Sequence, residues 1–433
     1  MGYITIQSAN PDISWVLGKN PDSGMICRTL RAGIVYGWYS NPNTYVLRFI
    51  DHTDEVSFKK NLYDQFNYLG SLQYCSPLLL SSIIVEMFGS NLNKSIPKDL
   101  EHDNKLTQHI IKLNNRALGF ISKLNAYIKK FKINYISLGY NNLYRLEIIS
   151  TGSIIDLLNY SYLLGNLLNV LVIGFIDKPS TDQLNKMVNF MVQINVPYYP
   201  RYLIKTNLMS KSEFDKLKDK LESFDDGKIK MEWGNSQIQR YNFIESNVNF
   251  SSDIIDFGCG EGFYVKKLLQ KLSKDRKYFA WDIDPDELNK VKYFKEKNPE
   301  YTNLIIGENE QELLKIVSNS IKPTILLSEV FEHIESNEAI ELVNKIKSSI
   351  DFGKIIITTP NVGFNKHYSP DYDETGEINL RHVDHKYEYT QKEFTDIVNK
   401  LFDNNLYQKN YYNVGDMIGE NSITQSFIVS SNI

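Results

Sequence analysis

The sequence predicts an α/β protein of two domains, an N-terminal α+β domain and a C-terminal doubly wound, mainly parallel, seven-stranded Rossmann-like sheet. Three observations predict it. The chain has 433 residues, more than one ordinary core accommodates. A charged run, SKSEFDKLKDKLESFDDGKIK, fills the stretch from Met209 to Trp233 and precedes a change of pattern. Beyond it, short β-branched runs alternate with amphipathic segments, which is how a parallel sheet covered on both faces is written. The boundary is expected near residue 228, giving domains 1–228 and 229–433.

In the first domain, Pro77 opens a helical pattern over Leu78–Phe88 that Gly89 closes. Arg116–Phe131 reads as a second helix and Tyr135–Ile149 as extended chain. No catalytic signature is visible there. The apolar stretch Ile154–Ile176 is interrupted by Asp156, Asn159, Asn166 and Asn169, so buried helix and strand segments are expected rather than a membrane span.

In the second domain, strands are expected at Asp253–Phe257, Tyr278–Ile283, Asn303–Ile306, Thr324–Ser328, Lys354–Thr359, Leu406–Asn413 and Ile423–Ser430. Between them, Val265, Leu268, Leu269 and Leu272 share a helical face. So do Leu288, Val291 and Tyr293 or Phe294, and Ile340, Val343, Ile346 and Ile350. Thr390 with Glu393 reads as a capping box opening a helix over Gln391–Phe402.

Composition narrows the function. Net charge is −4 with a pI near 6.0, so no global basic field grips nucleic acid, and any such site is local or supplied by a partner. Three cysteines, Cys27, Cys75 and Cys259, form no CxxC pair, which argues against a disulfide framework and zinc–thiolate sites. The opening MGYITIQSANPDIS lacks a basic segment followed by an apolar core, so no signal peptide is expected and a cytoplasmic location is.

Two clusters carry chemistry. The first is Asp256-Phe257-Gly258-Cys259-Gly260-Glu261-Gly262, after a β run and before a helix. Alternating glycines let the backbone turn sharply and approach a ligand. Such a loop alone is shared with dinucleotide sheets. Two acids separate it from them: Asp256, placed for a ligand's ammonium rather than a pyrophosphate, and Asp282 at the next strand end, able to accept both ribose hydroxyls of an adenosine. S-adenosylmethionine has both groups.

The second cluster is Ser328-Glu329-Val330-Phe331-Glu332-His333. Glu329, Glu332 and His333 stand at i, i+3 and i+4, so one helical turn puts them on one side. An isolated ExxEH is more often a solvated, capping turn. Here, however, Arg381-His382-Val383-Asp384-His385 follows the fifth strand, whose end borders the same crevice, and a loop can return a further imidazole. Oxygen and nitrogen ligands suit Mg²⁺ or Mn²⁺, the imidazoles favouring Mn²⁺. A bound cation lowers the pKa of coordinated water from ~15.7 to ~7, and a vicinal diol chelating it orients one oxygen at a sulfonium methyl. The terminal ribose of an RNA offers free 2′- and 3′-hydroxyls together.

DFGCGEG, SEVFEHIE, TTPNVGFN and LRHVDHKYEYTQKEF, in this order, resemble the family of 3′-terminal RNA ribose 2′-O-methyltransferases. LGKNPDSG, YCSPLLLSSIIVEMFGSNLN and Tyr199-Pro200-Arg201-Tyr202-Leu203 are similar to stretches of its bacterial RNA-repair branch. The resemblance implies metal-dependent methyl transfer from S-adenosylmethionine to the 2′-hydroxyl of an RNA 3′ end bearing a 2′,3′-diol. It also implies an N-terminal domain that binds and activates the ligase part of a polynucleotide kinase–phosphatase–ligase. It assigns Glu329, Glu332, His333 and His385 to the metal, and His382 to a nearby base or RNA contact. Asp256, Gly258, Gly260 and Asp282 go to the cofactor, with Ser328 lining its pocket. Glu308, Gly363, Tyr387 and Tyr389 depart from the family pattern without removing a ligand. The competing readings are methylation of a small catechol-like diol and a non-catalytic, ligase-activating scaffold.

Overall fold

The computed structural model describes residues 2–30, 33–51, 74–92, 94–174, 178–223, 228–317, 320, 322–368, 380–382 and 384–431. It divides into two units, Met1–Asp226 and Gly227–Ile433. Val383 and the Asp-Asp-Gly at the end of the charged run lie outside the described residues.

The first unit is an antiparallel seven-stranded sheet. Its strands are β1 (Gly2–Ser8), β2 (Ile26–Leu30), β3 (Gly33–Asn41), β4 (Thr44–Asp51), β5 (Asn104–Lys112), β6 (Phe131–Ser137) and β7 (Leu143–Ser150), in the order β2-β3-β4-β1-β5-β7-β6. The expected helix Arg116–Phe131 is shorter, Asn115–Tyr127, because Phe131 begins β6. The expected extended run Tyr135–Ile149 is a hairpin: β6 and β7 fold back through Asn141 and Asn142, both at positive φ.

Helices pack against this sheet. We label α1 (Ile13–Leu17), α2 (Pro77–Phe88), α3 (Asn115–Tyr127), α4 (Ile154–Val172), α5 (Thr181–Gln193), α6 (Tyr198–Leu208) and α7 (Lys211–Glu222). Ser76 caps α2, and Gly89 after it has an ordinary helical φ of −54° rather than the expected left-handed closure. α4 is the apolar stretch of the sequence, a single helix with no strand in its 19 residues. It is long and apolar enough to cross a membrane, yet 89% of its apolar window is buried within the protein. Gly165 lets it approach α2: a Cβ there would stand 3.0 Å from the Ser81 nitrogen. The interrupting Asp and Asn residues are accommodated locally. Asn166 Nδ2 donates to the Tyr162 carbonyl, and the Ser76 hydroxyl donates to Asn169 Oδ1. The charged run forms α7, capped by Ser210 and Glu213, with Phe214, Leu217 and Leu221 buried. Arg201 closes its far end, donating from Nη1 to the carbonyls of Leu221 and Ser223 and from Nε to that of Val196.

The second unit holds β8 (Ile229–Lys230), β9 (Ile254–Phe257), β10 (Tyr278–Trp281), β11 (Leu304–Ile306), β12 (Thr324–Ser328), β13 (Lys354–Pro360), β14 (Tyr407–Ile418) and β15 (Asn421–Ser431). Their order is β11-β10-β9-β12-β13-β15-β14-β8. The expected seven-stranded, mainly parallel sheet is thus corrected to a mixed, eight-stranded one. β9 to β13 pair in parallel, and β15, β14 and β8 join antiparallel. The cause is the tight turn at Gly419-Glu420, which forces β14 and β15 into a hairpin, with β15 inserted next to β13. The two-residue β8 carries no sequence pattern of its own.

Helices α8 (Ser236–Asn247), α9 (Phe263–Leu268), α10 (Pro285–Lys297), α11 (Glu310–Val317), α12 (Ser336–Ser349), α13 (Val362–Tyr368) and α14 (Gln391–Leu401) cover the sheet. Val265, Leu268, Leu269 and Leu272 are buried as their spacing predicts, as are Leu288 and Val291. Phe294 packs against this core and Tyr293 is exposed. Thr390 and Glu393 form the expected capping box. The chain leaves β9 toward β10 and β11, then crosses to β12 on the other side. This reversal opens a crevice at the carboxyl ends of β9 and β12, where ligands collect in such sheets.

Candidate active site

Both clusters singled out in the sequence stand at that crevice. Gly258, Gly260 and Gly262 have φ of 75°, 51° and 78°. The loop is clipped to the end of β10: the amides of Gly258 and Cys259 donate to the Trp281 carbonyl, and that of Gly260 to Asp282 Oδ2 at 2.7 Å. At Gly258 a Cβ would meet Val330 Cγ2 at 2.6 Å, so the loop lies directly against the turn that carries the second cluster. Asp282 Oδ1 accepts from the Asp284 amide. Asp256 is fully buried; Oδ2 accepts from the Tyr278 hydroxyl at 2.8 Å and Oδ1 has no partner among the described residues. Burial pushes its carboxyl up to about 7, with the Tyr278 bond pulling down and the Asp282 charge adding to the rise. Ser328, the last residue of β12, is buried, bonded to the Tyr264 hydroxyl and to Thr358 Oγ1.

The second cluster differs in shape from a helical turn. Glu329 sits at φ 56°, in the left-handed region, with its amide still donating to the Thr358 carbonyl as the ladder ends. Only Phe331–His333 is helical, as one 3₁₀ turn. The bend gathers one ligand atom each from Glu332, His333 and His385 within 4.8 Å of one another. The rings of His333 and His385 lie 4.9 Å apart, and those of His382 and His385 5.1 Å. Glu329 stands outside this trio: Oε2 pairs with Arg240 Nη1 at 3.1 Å and Oε1 accepts from Thr358 Oγ1. It still lines the same cavity of about 300 Å³, with Arg240, Glu332, His333, His382 and His385. His367 lies elsewhere, on α13 against Phe364, and burial pushes its imidazole down to about 4.

Glu332 is the anomaly of the cavity. It is completely buried; Oε2 accepts from the Thr359 hydroxyl at 3.1 Å, while Oε1 has no partner among the described residues. Burial, and then the Glu329 charge, hold its carboxyl well above the usual carboxylate range. A buried polar oxygen without a partner costs about 1–3 kcal/mol, more when charged. A cation between Glu332 and the two imidazoles removes that cost. The donor set therefore fits a divalent ion with oxygen and nitrogen ligands.

Several residues of the site went unnoticed in the sequence. Arg240, on the largely polar α8, belongs to no motif; Glu329, Tyr264 and Glu332 outweigh its burial and strengthen its hold on its proton. Glu388, buried, faces His385 Nδ1 at 2.5 Å through Oε1. Burial alone would raise its carboxyl, but the His385 bond, Arg381 and Asn365 hold it below the usual range. No sequence signal marked Glu388, because residues 385–388 form no helix that would give their spacing a meaning.

The fold recurs among solved structures. A chain in a structure of the Pnkp1/Rnl/Hen1 RNA repair complex matches 99% of this chain and 100% of its own length, with a TM-score of 0.77 and 23% identity. A second structure of the Pnkp1/Rnl/Hen1 complex matches with a TM-score of 0.73, 22% identity and 99% coverage of both chains. A small RNA 2′-O-methyltransferase of Arabidopsis thaliana is 29% identical over 180 residues, 38% of this chain and 19% of that protein, so the chain spans about a fifth of that relative's length. The family model of the Hen1 N-terminal domain matches residues 3–226, more than half of the 433, and the chain belongs to that family.

Proposed function

We propose that this chain transfers a methyl group from S-adenosylmethionine to the 2′-hydroxyl of the 3′-terminal ribose of RNA, with Mn²⁺ or Mg²⁺ held in the cavity. The observation that carries the proposal is the buried Glu332, whose Oε1 has no partner among the described residues and which offers a ligand atom within 4.8 Å of those of His333 and His385, beside the glycine loop. The family, and the names of the relatives, support RNA as the substrate class.

Glu332, His333 and His385 would hold the ion, with Glu329 completing the set by turning from Arg240. When bound, the ion supplies Lewis-acid polarisation of a ribose hydroxyl and a fixed place for the neighbouring one. The protein does the rest. Asp256 and the left-handed backbone of the loop at Gly258 and Gly260 would receive the amino-acid end of the donor, Asp282 its ribose, and Ser328 lines the pocket. The 2′-oxygen forms a bond to the methyl carbon as the carbon–sulfur bond breaks. The sulfonium leaves as a neutral thioether, and the hydroxyl proton passes to His382 or to water.

Residues 1–228 form, in this reading, the surface that engages and activates an RNA ligase of a kinase–phosphatase–ligase, and residues 229–433 the methyltransferase. The setting is cytoplasmic RNA repair of tRNA-like ends. The decisive experiment is labelled-methyl transfer onto RNA ending in a 2′,3′-diol, with Mn²⁺, with Mg²⁺ and in EDTA. Equal transfer in EDTA overturns the metal, and no transfer in any condition overturns the activity.

A further inference from the structure

We propose that Glu388 is the positioning residue that presents His385 to the metal, holding the ring as its Nδ1–H tautomer so that Nε2 keeps the lone pair that ligates. The inference rests on the metal reading above and adds to it a named residue and a protonation state.

Glu388 belongs to a buried hydrogen-bond network. Its side chain is completely buried, and Oε1 lies 2.5 Å from His385 Nδ1. The same oxygen accepts the Arg381 backbone amide at 2.7 Å, and Oε2 accepts from Asn365 Nδ2. An ionised carboxylate only accepts hydrogen bonds, so the imidazole nitrogen that faces it carries a hydrogen. That leaves Nε2 as the ring's basic nitrogen. In a site away from water the carboxylate also makes the ring a stronger electron donor, the arrangement by which second-sphere carboxylates tune metal-bound histidines.

The carboxylate is itself fixed. Arg381 Nε donates to Asn365 Oδ1 at 2.6 Å, and Arg381 Nη2 to the Asn361 carbonyl at 3.1 Å. Asn361 follows β13 and Asn365 lies on α13. Glu388 thus ties the loop bearing His382 and His385 to the carboxyl edge of the sheet, at the distance the trio needs. His333 provides the contrast. Its Nδ1 lies 3.3 Å from Asp384 Oδ2, but the Asp384 side chain is 64% exposed, where solvent weakens such a pair.

The test uses the full-length chain and Mn²⁺ alone, with free Mn²⁺ read by electron paramagnetic resonance, so no turnover is needed. Wild type is compared with Glu388→Gln, which keeps the volume but not the charge, and with Asp384→Asn. Glu388→Gln should lose about 10–100-fold in Mn²⁺ affinity, with S-adenosylmethionine affinity unchanged, and Asp384→Asn should stay near wild type. Wild-type affinity in Glu388→Gln overturns this inference and leaves the metal site standing. Absence of Mn²⁺ binding by wild type overturns the metal reading itself. If Glu388→Gln fails to fold, the decision passes to ¹⁵N-histidine spectra of the unaltered, metal-free protein above the imidazole titration range. A His385 ring protonated at Nδ1 supports the inference, and one protonated at Nε2 overturns it.

Discussion

Replacing Glu332 with Gln separates what the fold tolerates from what the chemistry needs. The variant keeps the volume and an oxygen for the Thr359 hydroxyl, and removes the charge. In wild type that charge is fully buried, one oxygen has no partner among the described residues, and Glu329 adds repulsion. Replacing an ionisable buried carboxyl by a neutral amide of the same size is worth about 1–3 kcal/mol. A domain of this size shifts by roughly 2–4 °C per kcal/mol, so in EDTA at neutral pH the variant should melt roughly 2–12 °C higher. The sign of the pH dependence follows from the raised folded-state pKa. Between the unfolded value of about 4.3 and the folded one, the native state binds more protons, so wild-type stability falls as pH rises through that window. The gain of the variant is therefore absent in acid and grows with pH. Mn²⁺ should reverse the order, because at about 100 times its Kd it adds about 2.7 kcal/mol to wild type alone. Methyl transfer should be lost. Thermal unfolding in EDTA across pH, with and without Mn²⁺, measures all of this. A variant less stable than wild type in neutral EDTA, or a gain indifferent to pH, would refute the reasoning.

Further outcomes follow from other positions. Gly258→Ala forces a side chain into left-handed backbone and onto Val330, whereas Gly260→Ala meets the backbone strain with open space around it. The strain alone costs about 1–2 kcal/mol, so Gly258→Ala should lower the melting temperature and S-adenosylmethionine affinity clearly more than Gly260→Ala, by calorimetry. Arg201→Met strips hydrogen bonds from the buried carbonyls of Val196 and Leu221 and should cost at least about 3 kcal/mol, read as earlier denaturant unfolding of the first unit. RNA ending in a 3′-phosphate or a 2′-deoxynucleotide should accept no label in the transfer assay; labelling of either end would contradict chelation of a 2′,3′-diol. The first unit should co-elute with an RNA ligase on gel filtration, and separate elution would count against the partnership.

In the second unit the order of the strands, β8 apart, and the site's address were already legible in the chain, whereas most strands of the first unit were not. Local periodicity suffices for that: the β runs ending at Phe257 and Ser328 each stop where glycine or polar residues begin, and a parallel sheet puts such ends on one edge. The same logic marked the stretch that forms α4 as buried rather than membrane-spanning, although it expected strand as well as helix there. What misled was the assumption of a regular turn. Glu329, Glu332 and His333 are spaced for an α-helix, but the bond of the Glu329 amide to the Thr358 carbonyl holds Glu329 at the end of β12, where the left-handed backbone bends the chain before the 3₁₀ turn.

Tertiary structure alone decided who faces whom. Arg240 reaches Glu329 from a helix far away in sequence, and β8 joins the sheet through Lys230 and Met417, neither of which carries a pattern. The setting of the Glu388–His385 pair against Arg381 and Asn365 exists because the loop around Arg381 folds back onto the strand edge. Sequence records each residue's local preference, whereas burial and partnership depend on contacts between distant segments. Glu332, His333 and His385 could be named together from the chain; their convergence, and the burial that leaves Glu332 Oε1 without a partner among the described residues, are properties of the fold.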